Sequence, residues 1–76
     1  MEQKTKQDIN IGANIRAIRK RKNIKQVDLV RLLQLKGVEI TRETLVKIES
    51  GVQHIKASQL RGIRDALETT YDELLK

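Results

Sequence analysis

Between residues 41 and 56 the sequence gathers side chains suited to recognition rather than reaction: Thr41, Arg42, Glu43, Thr44 and Lys47, then Gln53, His54 and Lys56. Arginine and lysine can satisfy guanine O6 and N7, and a glutamate can accept from cytosine N4. Threonine hydroxyls suit a phosphate oxygen or a thymine edge. Catalytic readings of the same residues fail. His54 is the only histidine and there is no cysteine, so neither a histidine-rich metal centre nor a thiolate zinc site is available. His54 also has no evident Ser or Asp partner for acid–base work, and an exposed loop position is its simpler reading. The expectation is a chain that is no enzyme and needs neither cofactor nor metal.

Charge narrows the partner. The 76 residues carry a formal charge of +6 and a pI near 10.0, which favours nucleic acid or an acidic membrane surface. Residues 16 to 25 hold Arg16, Arg19, Lys20, Arg21, Lys22 and Lys25 without an acid, whereas residues 65 to 75 hold Asp65, Glu68, Asp72 and Glu73 without a base. An electrically polar molecule is expected, basic at one end and acidic at its C-terminal helix. Tyr71 is the sole aromatic residue. That argues against stacking on RNA or single strands and against an interfacial membrane helix, which wants Trp or Phe opposite its lysines. No apolar run approaches the ~20 residues that span a bilayer. The first eight residues lack the apolar core of a signal peptide, so a cytoplasmic location is expected.

The elements that must position these side chains are helical. Residues 1–8 are polar and read as a flexible tail, leaving 9–76 as one domain. A first helix starts near Asp8 or Asn10 and buries Ile11, Ile15 and Ile18. A second runs from about Gln26 to Lys36 with Leu29, Leu32 and Leu33 inward, and Gly37 ends it. Thr41 caps a third, from about Arg42 to Ser50, whose narrow apolar side is Leu45 and Ile48. A fourth spans about Ala57 to Leu67 with Leu60, Ile63 and Leu67 inward. Gly62 inside it costs roughly 1 kcal/mol relative to Ala unless close packing there requires it. Thr70 and Glu73 form a capping box at the start of a fifth.

Two short helices joined by a tight glycine-containing turn suggest a helix-turn-helix, and the second and third helices fit that shape. From about Asn10 to Leu75 the sequence resembles the phage-repressor and Cro-like (Xre-type) family. The residues carrying the resemblance are Ile11-Gly12, Ile15-Arg16 and Arg19, then Gln26 and Leu29. Thr41, Thr44-Leu45, Ile48-Glu49 and Gly51 follow, and last Ala66-Leu67 and Asp72-Glu73-Leu74-Leu75. The resemblance implies an all-α, compact five-helix bundle of lambda-repressor-like fold. It implies sequence-specific binding of double-stranded DNA by a transcriptional regulator, a repressor acting as a homodimer on a pseudo-palindromic operator. A protein-interaction or antitoxin-type module on the same fold is the alternative.

The resemblance also distributes roles. Arg42, Glu43 and Lys47 take the base-reading positions, although Glu43 has an equal reading as a helix-dipole partner or a mate for Lys47. Gln26, Thr41 and Thr44 are placed on the DNA backbone, with Gln26 also bracing a side chain of the third helix and Thr41 open to being only a cap. Gln53, His54 and Lys56, beside the start of the fourth helix, are expected to clamp a backbone phosphate because helix N-termini bind anions. Arg19 and Glu49 form a structural ion pair rather than a reading pair. Tyr71, Leu74 and Leu75 are expected on the dimer surface. The sequence departs from the family in an extended stretch from Leu35 to Ile40, where Val38 and Ile40 are expected to plug the turn. It departs again in Lys25, where Ser or Thr usually caps, and in Glu68, where Gly is usual.

Overall fold

Most helix ends in this chain lie where the sequence supplies the hydrogen bonds that helix ends lack. The computed structural model describes residues 9–76, so the expected tail at 1–8 lies outside the described residues. Five helices follow in order: α1 (Ile11–Arg21), α2 (Gln26–Leu35), α3 (Arg42–Glu49), α4 (Ala57–Ala66) and α5 (Tyr71–Leu74). The side chains of Asn10, Thr41 and Thr70 accept from the backbone N–H groups of Ala13, Thr44 and Glu73 at 3.0, 3.1 and 3.2 Å, satisfying donors a bare helix start would leave orphaned. The capping box expected at α5 is only half made, because Glu73 instead meets Lys76 at 3.4 Å.

The first four helices end alike. Asn23, Gly37, Gly51 and Glu68 take left-handed φ values of 59°, 83°, 82° and 54°. The following N–H turns back in each case, from Ile24 to the Arg19 carbonyl, Val38 to Leu33, Val52 to Lys47 and Thr69 to Arg64. This is the Schellman arrangement, which satisfies carbonyls that the last turn leaves open.

The core is aliphatic: Ile15 and Ile18 from α1, Leu29, Val30 and Leu33 from α2, Ile40 from the extended turn, Leu45 and Ile48 from α3, then Ile63, Leu67 and Leu74. Two expectations fail here. Leu32 is exposed and Val30 is buried in its place, so the buried stripe of α2 keeps Leu29 and Leu33 and is rotated toward Val30 by roughly 50°, about a seventh of a turn. Leu74 is fully buried, because the four-residue α5 packs on α1 and turns one side inward. Asn14 of α1 clamps that contact, its Nδ2 donating to the carbonyls of Leu74 and Lys76 at 2.8 and 3.0 Å. Lys22 Nζ donates to the Glu68 carbonyl at 3.4 Å, so the basic end of α1 adjoins the acidic segment.

Two glycines mark where helices approach too closely for a side chain. A Cβ on Gly12 would fall on the carbonyl oxygen of Ile48, so α1 lies directly against the end of α3. A Cβ on Gly62 would stand 2.8 Å from Val38 Cγ2 and 3.1 Å from Leu33 Cδ2. The propensity cost of Gly62 is thus offset by the room it gives the extended turn, whose Val38 packs on the core and whose Ile40 is buried.

Candidate nucleic-acid interface

Burying Leu45, Ile48 and Glu49 fixes the direction of every other side chain on α3. Arg42, Glu43, Val46 and Lys47 are exposed, and Thr44 is half-buried. None of Arg42, Glu43 and Lys47 forms an ion pair with another described residue. Glu43 and Lys47 have the four-residue spacing that favours a pair, yet both stay solvent-facing. The result is a short helix face with unspent donors and acceptors. Thr41 is committed as the cap of α3, and its hydroxyl also meets that of Thr44 at 3.1 Å.

The first turn of α3 has a helix N-terminus on either side. Toward α2 an open cleft of about 540 Å³ is lined by Arg16, Arg19, Lys25, Gln26, Val27 and Arg42. On the other side a groove of about 580 Å³ brings Thr41 and Thr44 together with Gln53, Lys56 and Gln59. These flanking helices begin differently from the rest. Lys25 stands at the cap of α2 and Lys56 at the cap of α4, and neither makes a side-chain cap bond. A lysine has no acceptor to offer. Each N-terminus therefore joins an ammonium to first-turn backbone donors that no N-cap side chain takes up and to the positive end of the helix dipole, a combination that favours anions. Gln59, almost wholly buried, fixes the second of these. Its Oε1 accepts from the Lys56 N–H at 2.9 Å, and its Nε2 reaches the Glu39 carbonyl at 3.5 Å.

Behind this face lies a buried polar network. Arg19 Nε and Nη2 donate to Glu49 Oε2 and Oε1 at 2.8 and 2.9 Å, and Arg19 Nη1 donates to the Ile24 carbonyl at 2.9 Å. Gln26 Nε2 donates to Glu49 Oε1 at 3.1 Å. Among the described residues no buried side-chain polar atom lacks a partner. The network joins α1, α2 and α3 beside the first cleft, so the Gln26 side chain is held in place before any ligand arrives.

The remaining site candidates are more scattered. Gln53 and His54 are exposed in the loop after α3, where the Gln53 N–H shares the Lys47 carbonyl at 3.2 Å. Tyr71 and Leu75 are half-buried, and the Arg64 guanidinium lies 4.6 Å from the Tyr71 ring centroid. A hydrogen bond from Arg64 to Asp65 raises that guanidinium further above its ordinary value. With Leu74 in the core, the three residues expected at a dimer surface do not form one exposed patch. Sequence reasoning gave no site role to Arg16, Lys25 or Val46. The signal for the first two was present in the basic run that ends beside Gln26. No helix among the described residues is long and apolar enough to cross a membrane.

A family model described as helix-turn-helix matches residues 15–74. No curated protein and no solved structure matches the chain.

Proposed function

The chain belongs to the helix-turn-helix family, a family of DNA-binding transcription regulators, and from that premise we propose that it represses transcription by occupying a specific operator as a homodimer. In this reading the exposed face of α3 enters the major groove. Arg42 and Lys47 donate to guanine O6 and N7, and Glu43 accepts from cytosine N4. The N-terminus of α2, with Lys25 and Gln26, takes a phosphate on one side of the groove. The N-terminus of α4, with Gln53, His54 and Lys56, takes a phosphate on the other. Thr44 adds a hydroxyl to the second contact.

The observation that carries the proposal is the pair of lysine-led helix starts, each without an N-cap side-chain acceptor, flanking the unpaired charges of α3. Phosphate contacts position a protein on DNA and base contacts specify the sequence, and this surface offers both kinds in adjacent places. A protein-interaction module would want a broad apolar exterior on α3, where only Val46 is apolar.

The homodimer follows from reach. One reading helix covers about four base pairs, too few to select a genomic site, and two-fold pairing on half-sites about 34–36 Å apart is the usual solution. Half-buried Tyr71 and Leu75 are the candidates for that contact. Operator occupancy by such a dimer puts the protein on the nucleoid and blocks transcription where the operator overlaps a promoter.

Selection of bound fragments from random duplexes tests this. The expected product is one enriched pseudo-palindrome that binds two protomers at saturation. No enrichment over the input pool overturns the specific-binding proposal, and a one-to-one complex on the full operator overturns the dimer.

A further inference from the structure

Building on that DNA-binding reading, we infer that Val46 reads the C5-methyl group of a thymine in the major groove. Val46 is 41% exposed on a helix whose packing is already supplied by Leu45 and Ile48. A β-branched residue is a modest helix former, and its apolar surface gains nothing from water. Neither local propensity nor the core explains a valine here. Its neighbours do place it among the candidate base readers. Val46 lies one turn beyond Arg42 and Glu43, beside Lys47, on the face that carries them.

The edges that bases present in the major groove are polar apart from the thymine methyl, so an apolar side chain on a reading face has one complementary partner there. Valine suits the task because it holds one strongly preferred χ1 rotamer in a helix, and little side-chain freedom is lost when its methyls meet another. Leu35, Val52 and Val27 are more exposed than Val46, at 78%, 75% and 45%, but none of them lies on α3. The four residues from Arg42 to Val46 advance about 6 Å along the helix axis. With base pairs about 3.4 Å apart along each strand, the thymine should fall within about two base pairs of the one that Arg42 reads.

The test uses the operator obtained by selection. Each thymine is replaced in turn by deoxyuridine, which removes the methyl and leaves the Watson–Crick edge intact. Binding is measured for the parent and for Val46→Ala, with a thermal melt to show that the variant is folded. The expected result is one position per half-site where deoxyuridine weakens parent binding about 3–5-fold, the effect of one buried methyl. Val46→Ala should lose that sensitivity at that position and keep it at every other. A selected operator whose deoxyuridine penalties are the same for parent and Val46→Ala overturns this inference and leaves the DNA-binding reading standing. Failure to select any operator overturns both.

Discussion

Replacing Arg19 by methionine should destabilise the fold without altering how DNA sequences are told apart. Methionine keeps most of the buried stem and removes the charge, so the change isolates the ion pair. The Glu49 side chain is 3% exposed and now accepts two bonds from Arg19. After the substitution its one remaining partner is Gln26 Nε2 at 3.1 Å. Stranding a buried charge in this way costs about 3–5 kcal/mol. A domain of this length has roughly 4–11 kcal/mol of total stability, and each kcal/mol shifts Tm by about 4–8 °C. The melting temperature should therefore fall by at least about 12 °C. Arg19→Met/Glu49→Met should recover most of the loss, because removing both charges of a buried pair is often near neutral. Thermal and urea melts of the parent, Arg19→Met, Glu49→Met and the double variant give the coupling directly. If Arg19→Met melts within a few degrees of the parent, or if the two single losses simply add, the network is not what holds α1 to the end of α3. At temperatures where Arg19→Met is folded, its preference for operator over scrambled duplex should equal that of the parent.

Two further outcomes follow from the helix ends. Lys25→Ala and Lys56→Ala should each weaken binding to operator and scrambled duplex nearly alike, and each should flatten the salt slope of log K by about one unit; isotherms across a salt series measure this. Glu68→Gly should stabilise the fold by about 0.5–1 kcal/mol, the left-handed penalty of a non-glycine residue less the entropy that glycine loses on folding. Glu68 holds φ at 54°, its carboxylate makes no bond to a described residue, and the Lys22 contact uses its backbone carbonyl and so survives. A melt of the variant should show a Tm higher by a few degrees, and a lower Tm would mean that the Glu68 carboxylate contributes more than its surroundings indicate.

Much of this architecture could be read from the chain because helix starts and stops depend on local chemistry. Asn10, Thr41 and Thr70 are short polar residues ahead of apolar-periodic segments, and Asn23, Gly37 and Gly51 tolerate the left-handed turn that closes a helix. Glu68 does the same work without a residue type that announces it. The misreadings came where tertiary packing chose between neighbours of equal hydrophobicity. Leu32 and Val30 both fit a helical stripe with Leu29 and Leu33, and the fold buries Val30 and leaves Leu32 exposed. Leu74 and Leu75 are identical in type, and only the docking of α5 on α1 sends Leu74 inward. The resemblance implies that Gln26 braces a side chain of the third helix, but that the side chain is Glu49, 23 residues away, is something sequence spacing alone does not give. The same holds for the two clefts beside α3, which exist only once α2 and α4 bring Lys25 and Lys56 to either side of it.

The central claim is that the exposed face of α3 reads base pairs. It is tested most directly by binding isotherms for Arg42→Ala and Lys47→Ala on the selected operator and on a scrambled duplex of equal length, across a range of salt. Each variant should lose about 1–3 kcal/mol of discrimination at particular base pairs, with its melting temperature close to that of the parent because neither side chain makes an ion pair in the fold. If both variants bind operator and scrambled duplex as the parent does, α3 is not the reading helix.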